Sequence, residues 1–159
     1  MSVILPGSYD PITKGHLDVI RRVAEREDEV YVVAFINPDK KYLFSLEDRV
    51  AMMMLALDDF YNCFVSYSTG RVVDYMREHD IGKIVKGYRN DHDLEYEKIQ
   101  AEYNLHHGGY DTEFMLAADE FRTVSSTRVR EAILGGEDIS DLVPDSVARY
   151  IRGLDIKFD

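Results

Sequence analysis

Short apolar runs rich in β-branched residues alternate along the whole chain with longer stretches in which apolar residues recur with the helical period. Five of these runs are expected to be strands, over residues 3–5, 30–36, 63–67, 83–85 and 112–117. Strands that alternate with helices pack as one sheet with helices against it. The pattern therefore predicts an α/β fold built on a doubly wound sheet of five parallel strands.

The second run, residues 30–36, is apolar on both faces, as in a strand covered by helices above and below. We therefore expect it at the centre of the sheet. Ser45 can cap the next helix, and Gly108-Gly109 ends an amphipathic helix predicted over residues 93–106. Pro144 is expected in the first turn of the last helix. Because no repeat or linker interrupts the pattern, we predict a single domain over residues 1–159.

The composition excludes several classes of partner. The 19 Lys and Arg residues face 30 Asp and Glu residues, so the net charge of −11 repels nucleic acids and anionic membranes. The only cysteine, Cys63, is expected to be a buried strand residue, which leaves no disulfide framework or thiolate metal site. No segment has the apolar length of a signal peptide or a membrane span. We expect a cytoplasmic protein that binds neither nucleic acid nor membrane.

Basic residues nevertheless collect in the loops and the helix that follow the predicted strands. Ligands of open parallel sheets bind beyond the carboxyl ends of the strands, so these residues are expected on one rim. They are Lys40, Lys41, Arg71, Lys86, Arg89, Arg122, Arg128 and Arg130. A cationic rim on an acidic protein suits a phosphate-rich ligand. The alternative explanation of these basic residues is that loops of α/β proteins are polar whether or not they bind a ligand.

Three common phosphate-site proteins are disfavoured. The chain contains neither G-x-G-x-x-G nor G-x-x-x-x-G-K-[ST], so a dinucleotide oxidoreductase and a P-loop NTPase lose their main support. A phosphoacceptor receiver domain would need an Asp at the end of the third strand, where Ser68-Thr69 stands. Four of the five histidines, His79, His92, His106 and His107, are expected at the surface or at helix ends, and no metal site is predicted.

Two segments carry the residues of a two-sided phosphate site. After the first strand, Gly7 allows close backbone approach, Ser8 offers a hydroxyl, Thr13 can cap a helix and His16 can donate to a phosphate at that helix N-terminus. Late in the chain, residues 125–130 (SSTRVR) place three hydroxyl groups and unpaired N–H groups at another helix start. Simple helix capping is the alternative reading of either segment alone.

These residues resemble a known family. The T-x-G-H of residues 13–16 and the S-S-T-x-x-R of residues 125–130 are paired signatures of the nucleotidyltransferase superfamily, and length and spacing resemble phosphopantetheine adenylyltransferase. The resemblance extends from Gly7 to about Ile151 and implies a Rossmann-like fold. It implies transfer of AMP from Mg-ATP to 4′-phosphopantetheine, with Mg²⁺ carried mainly on the phosphates, by a homo-oligomer, a hexamer in relatives.

The resemblance also implies roles for individual residues. His16 and Lys40 would be catalytic, and Ser8 would contact both substrates. The expected ATP-binding residues are Ser8, Tyr9, His16, Gly87, Tyr88, Arg89, Glu97, Phe121, Arg122, Thr123, Val124, Ser125, Ser126 and Thr127. The expected acceptor-binding residues are Ser8, Lys40, Val72, Lys86 and Asn104. Without the resemblance, Lys40 could be a solvated turn residue and Glu97 part of a charged helix face.

Four positions depart from the family pattern. Lys86 stands where an Arg is usual and Tyr88 where an aliphatic residue is usual; Arg71 replaces a Leu, and Ser8 replaces a Thr. Lys86 is expected to follow the fourth strand and to project toward the acceptor phosphate or the transferring group. Two alternatives stay open: a related transferase that uses another phosphorylated acceptor or CTP, and a non-catalytic sensor that binds nucleotides.

Overall fold

The computed structural model describes residues 1–154. Within them, five strands alternate with helices as predicted. The strands are β1 (Ser2–Gly7), β2 (Glu29–Phe35), β3 (Cys63–Ser68), β4 (Lys83–Tyr88) and β5 (Thr112–Leu116). The helices are α1 (Lys14–Ala24), α2 (Leu46–Ala56), α3 (Val72–Glu78), α4 (Asp91–Gly108), α5 (Ser126–Leu134) and α6 (Asp145–Arg152), with a 3₁₀ turn at Asp119–Phe121. The last five residues of the predicted domain, 155–159, lie outside the described part.

All strand pairs are parallel, in the order β3-β2-β1-β4-β5. The central strand is therefore β1, and the expectation that residues 30–36 form the centre is wrong. Both β1 and β2 are apolar enough to lie inside the sheet. Their composition does not show which of them is central, because that depends on which strands pair with one another. Because the chain order reverses between β1 and β4, the topological switch point of the sheet lies beyond Gly7.

Alternate residues of the strands bury opposite faces of the sheet. Val3 and Leu5 join the larger core with α1, α2, α5 and α6, whereas Ile4 and Val33 pack against α3 on the other face. This is the period-two alternation of a strand covered on both sides. The doubly wound α/β architecture predicted from the sequence is confirmed.

The capping signals correspond to real helix ends. The Ser45 hydroxyl accepts from the Asp48 N–H at 3.1 Å, and Gly109, with a φ of 75°, ends α4 in the left-handed conformation. Pro144 immediately precedes α6 rather than lying inside its first turn.

Three local expectations were wrong. No residue of α4 is buried, and its apolar residues Tyr96, Ile99, Tyr103 and Leu105 are exposed, so α4 lacks the buried apolar face of the amphipathic helix predicted; its main contacts are with α3, β4 and β5. Cys63 is half-buried rather than buried, because β3 is an edge strand. The fourth strand extends to Tyr88, so Lys86 belongs to the strand and not to the loop after it. None of the helices in residues 1–154 has the apolar length to cross a bilayer.

Candidate functional site

An open pocket of about 780 Å³ lies at the carboxyl ends of the strands, over the switch point between β1 and β4. Every predicted site residue lines it except Arg122 and Thr123. Those that do are Ser8, Tyr9, His16, Lys40, Val72, Lys86, Gly87, Tyr88, Arg89, Glu97, Asn104, Phe121, Val124, Ser125, Ser126 and Thr127. The two segments that the sequence singled out therefore face one cavity.

A tight turn after β1 forms the floor of the pocket. Tyr9 has a φ of 48°, an uncommon value for a residue with a side chain. Its buried ring lies where a Cβ of Gly7 would come within 3.1 Å, and its hydroxyl donates to the Leu5 carbonyl at 2.8 Å. The same ring packs at 4.9 Å, centroid to centroid, from the ring of His16. Gly7 is therefore needed for the Tyr9 ring, which in turn supports His16.

A capping box at the start of α1 fixes the orientation of His16. The His16 N–H donates to the Thr13 hydroxyl at 3.2 Å, and the Thr13 N–H donates to His16 Nδ1 at 3.0 Å. An imidazole nitrogen that accepts from an N–H carries no proton, so in neutral His16 the proton is on Nε2. Burial and the nearby charges of Lys86 and Arg89 lower the pKa of His16 to about 4. His16 is thus a neutral hydrogen-bond donor at physiological pH.

The N-terminus of α5 is fastened to the loop that precedes α1. The Ser126 hydroxyl donates to the Pro11 carbonyl at 2.8 Å, and Arg130 Nη1 donates to the Asp10 carbonyl at 2.9 Å. Gly15 lies beside this contact, and a Cβ there would be 3.4 Å from the Val124 carbonyl oxygen. These contacts place two helix N-termini side by side at the same pocket.

The hydroxyl groups expected to bind phosphate in residues 125–127 have structural partners. Ser125 accepts from the Arg128 N–H at 3.0 Å as the cap of α5, and Thr127 accepts from Arg130 Nη2 at 3.1 Å. The N–H groups of Ser126 and Thr127 belong to the first turn, where an α-helix offers no acceptor of its own. Backbone N–H groups and the helix dipole are therefore what this end of the site offers an anion.

The cations of the pocket differ in their pairing. Lys40 is exposed, and its ammonium group donates to the Ser8 hydroxyl at 3.1 Å. The ammonium group of Lys86 lies 3.3 Å from a Glu97 carboxylate oxygen and donates to the Pro6 carbonyl at 3.1 Å. Arg89 binds the Asp93 carboxylate with two nitrogens, at 2.8 and 3.1 Å. Among these three cations, only Lys40 has no carboxylate within 4.0 Å in residues 1–154.

The remaining members of the expected cationic rim are less concentrated at the site than the sequence suggested. Arg122 pairs with Asp119 at 2.9 Å and Arg128 with Glu137 at 3.0 Å, both outside the pocket lining. Lys41 is exposed and also lies outside the lining. The expected rim is therefore partly wrong, because nearby carboxylates neutralise several of its members.

A polar cluster closes the pocket where α3 begins. The guanidinium group of Arg71 binds Asp74 through Nε at 2.9 Å and Nη2 at 3.1 Å, and Nη1 donates to the Tyr103 hydroxyl at 3.3 Å. Hydrogen bonding to Asp74 and Tyr103 raises the pKa of Arg71. Val72 and Asn104 line the same end. This cluster joins α3 to α4, which has no buried residue of its own.

Sequence reasoning missed Asp10, which is 1% exposed. Its carboxylate accepts from the Leu43 N–H at 2.9 Å and the Phe44 N–H at 3.0 Å, so it joins the loop after β1 to the start of α2. An acidic residue three positions after the end of a buried strand was the available signal. The other four histidines are exposed, as expected. Among residues 1–154, no group of three or more His, Cys, Asp or Glu side chains is placed to hold a metal ion.

The site thus combines the switch point of a doubly wound parallel sheet with two helix N-termini and a neutral histidine, an arrangement suited to a phosphate-rich ligand. Residues 4–132 match the family described as cytidylyltransferase-like, and the chain belongs to this family. The matched range covers the capping box at Thr13 and the first turns of α5. Membership identifies the chain as a nucleotidyltransferase.

We expect His16 to stay neutral down to about pH 4, with its proton on Nε2. Its ordinary pKa is 6.5 and its folded value is about 4, so between these values the unfolded chain binds more protons than the folded one. The contribution of His16 to stability is therefore complete above about pH 6.5 and is lost as the pH falls toward 4. Long-range ¹H–¹⁵N spectra recorded from pH 7 to 4 and assigned with His16→Gln would show this. A protonated Nδ1 at pH 7 would contradict the assignment.

Proposed function

We propose that this chain transfers the adenylyl group of ATP to the phosphate of 4′-phosphopantetheine, forming dephospho-CoA and pyrophosphate. The observation that carries the proposal is the pairing of the α1 and α5 N-termini around one pocket, with the Nε2–H of His16 between basic groups. In the reaction an oxygen of the acceptor phosphate bonds to the α-phosphorus, and the bond from that phosphorus to the bridging oxygen of pyrophosphate breaks. The substrate is its own nucleophile, so the protein has only to position and stabilise charge.

His16 and Lys40 would act on the transferring group. Neutral His16 donates from Nε2 to an oxygen of the α-phosphate, where negative charge builds up in the transition state. Lys40 lies on an exposed loop, and its ammonium group reaches Ser8 across the pocket mouth. On binding, the acceptor phosphate would take the place of the Ser8 hydroxyl as the partner of Lys40, so that Ser8 contacts both substrates.

The nucleotide would lie between the β4 end and the α5 end of the pocket. Its triphosphate would meet the N–H groups of Ser126 and Thr127, and the remaining expected contacts are Tyr9, Gly87, Tyr88, Arg89, Glu97, Phe121, Val124 and Ser125. Val72, Lys86 and Asn104 would line the acceptor side. Mg²⁺ would neutralise charge on the triphosphate. The carboxylates of Glu97 and Asp93 already pair with Lys86 and Arg89, which fits an ion held by phosphates and water.

A transferase with a different phosphorylated acceptor is the second candidate. The Arg71, Asp74 and Tyr103 cluster makes the α3 end of the pocket polar, whereas the pantetheine arm carries apolar as well as amide groups. An acceptor with a more polar tail would meet this cluster more favourably.

The proposal also includes a homo-oligomer. Met54 and Leu55 of α2 are 57% and 43% exposed, and Phe64 of the edge strand β3 is 44% exposed. Exposed apolar side chains so placed would become buried between copies. These exposures support an assembly without defining the number of copies.

We expect wild-type protein with ATP, Mg²⁺ and 4′-phosphopantetheine to form dephospho-CoA and pyrophosphate reversibly, because the pocket offers both phosphate sites. Coupled pyrophosphate release should be measured with ATP, CTP and GTP against phosphopantetheine, glycerol phosphate and nicotinamide mononucleotide, and the product identified by mass spectrometry. If another acceptor is turned over and phosphopantetheine is not, that acceptor takes the place of phosphopantetheine in the proposed reaction. Nucleotide binding without turnover on any acceptor would favour a sensor.

The same assay with the variant His16→Ala tests the role of His16. The substitution should lower kcat by about 10²–10³-fold while ATP affinity changes little, because the donor acts mainly in the transition state. A loss of ATP affinity at unchanged kcat would assign His16 to ground-state binding. Thr13→Ser keeps the capping hydroxyl and should keep activity.

Lys86→Arg should remain active with a modest change in KM, because a guanidinium group can also pair with Glu97. Lys86→Ala should lower kcat/KM by a factor that corresponds to roughly 2–4 kcal/mol of transition-state free energy, since a charge-assisted contact to the substrate is lost. The Lys86→Ala, Glu97→Gln double variant separates two causes. Recovery of activity there would mean that the unpaired Glu97 carboxylate caused the loss. No recovery, with the Glu97→Gln single variant itself active, would mean that Lys86 contacts substrate.

A double substitution at Lys86 and Arg71 tests which acceptor the protein uses. If the acceptor is phosphopantetheine, the Lys86→Arg, Arg71→Leu double variant should be near neutral in kcat/KM. A gain of about tenfold or more with phosphopantetheine would show that Lys86 and Arg71 select a different acceptor.

A further inference from the structure

Arg49 is a buried cation that has no acidic partner among residues 1–154. It lies on α2 and is 2% exposed, on the same helix face as Met52 and Met53. Within residues 1–154, no carboxylate oxygen lies within 4.0 Å of its guanidinium group. An arginine side chain keeps its charge in a protein, and burial of an unpaired charge is costly. Its Nε is also buried without a hydrogen-bond partner in the described part of the chain.

The contacts that Arg49 does make lead to the pocket. Its Nη1 donates to the carbonyl oxygen of Ser8 at 3.0 Å, and its guanidinium carbon lies 3.9 Å from the ring centroid of Tyr42. Ser8 and Tyr42 line the pocket, whereas Arg49 does not. Arg49 therefore stands directly behind the wall that carries the candidate phosphate contacts.

The same two neighbours connect Arg49 to Lys40. The Ser8 hydroxyl accepts from the Lys40 ammonium group at 3.1 Å, and that group lies 5.5 Å from the Tyr42 ring centroid. Arg49 thus joins the loop after β1 to the loop after β2 at the point where Lys40 extends over the pocket. A single buried side chain orients both loops.

In the described part of the chain, the neighbouring carboxylates of Asp10 and Asp48 have other partners. The buried Asp10 already accepts from the N–H groups of Leu43 and Phe44, and its nearest cation is Arg130 at 3.9 Å. Asp48, the neighbour of Arg49 on α2, accepts from the Tyr150 hydroxyl at 2.7 Å. The field of a buried cation is screened less than that of a surface lysine, so it reaches the adjacent pocket.

We propose that Arg49 is a positioning residue of the phosphate site, whose counter-charge is the polyphosphate of the bound substrate. The inference rests on the proposed function only in that the ligand carries a polyphosphate. Arg49 holds Ser8 and Tyr42 in place for Lys40, and its charge favours an anion at the pocket floor. This accounts for an arginine at a helix position where an apolar residue would pack at lower cost.

The test uses inorganic tripolyphosphate as the probe, so that it does not depend on turnover. Arg49→Gln removes the charge and keeps a donor for the Ser8 carbonyl, and Arg49→Lys keeps the charge. Arg22→Gln is the control: Arg22 pairs with Asp18 at 2.9 Å and with the Leu116 carbonyl at 3.0 Å, outside the pocket lining. Kd by calorimetry and Tm of the free protein are measured for all four proteins.

We expect Arg49→Gln to weaken tripolyphosphate binding about tenfold or more at a Tm no lower than that of wild type, because a buried unpaired charge is removed. Arg49→Lys loses the planar group over Tyr42 but keeps the positive charge, and should bind within about threefold of wild type. Arg22→Gln should lower Tm and leave Kd unchanged. A lowered Tm with unchanged Kd in Arg49→Gln would show a purely structural role and overturn the proposal.

Two further outcomes are decisive. If Arg49→Gln does not fold, Arg49→Lys still decides, since a tenfold loss of affinity in a variant that keeps the charge contradicts the proposal. Wild type that fails to bind tripolyphosphate overturns it as well. Wild type that binds tripolyphosphate through Arg49 but transfers no adenylyl group to phosphopantetheine contradicts the proposed function and leaves the role of Arg49 in place.

Discussion

The site depends on the docking of one helix N-terminus against the loop that leads into another. Ser126 and Arg130 bind the carbonyl groups of Pro11 and Asp10, and this joins the ends of α5 and α1, residues more than a hundred positions apart in the chain. Without that contact the capping box at Thr13 would still orient His16, but no second set of N–H groups would face it. The pocket is therefore a product of tertiary packing at the switch point, where the strand order reverses.

Charge in the pocket is balanced rather than uniformly positive. In a protein of net charge −11, most cations at the rim have an acidic neighbour, as Lys86 has Glu97 and Arg89 has Asp93. Paired cations hold the walls in place and contribute little long-range attraction. Within residues 1–154, Lys40 and Arg49, in front of and behind Ser8, have no such neighbour. We propose that their position lets an acidic protein bind an anion at this one point.

The parts predictable from sequence are those set by local chemistry. Strand and helix alternation gave the architecture, and the caps at Thr13, Ser45 and Ser125 follow from a side-chain oxygen near the N–H groups of a first turn. The position of β2 in the sheet was mispredicted, because strand order depends on pairing between distant segments. Likewise, no local pattern shows that Lys86 pairs with Glu97, or that the Ser126 hydroxyl donates to the Pro11 carbonyl. Arg49 was detectable only as a charge on the apolar face of its helix.

In the proposed reaction the pocket holds both substrates for direct transfer, and the protein contributes position and charge but no nucleophile. The configuration at the α-phosphorus tests this claim most directly, using ATP with a single sulfur and isotopically labelled oxygen at that phosphorus. One in-line displacement predicts inversion of configuration in the nucleotidyl product. Retention would require two displacements through a covalent enzyme intermediate and would contradict the account.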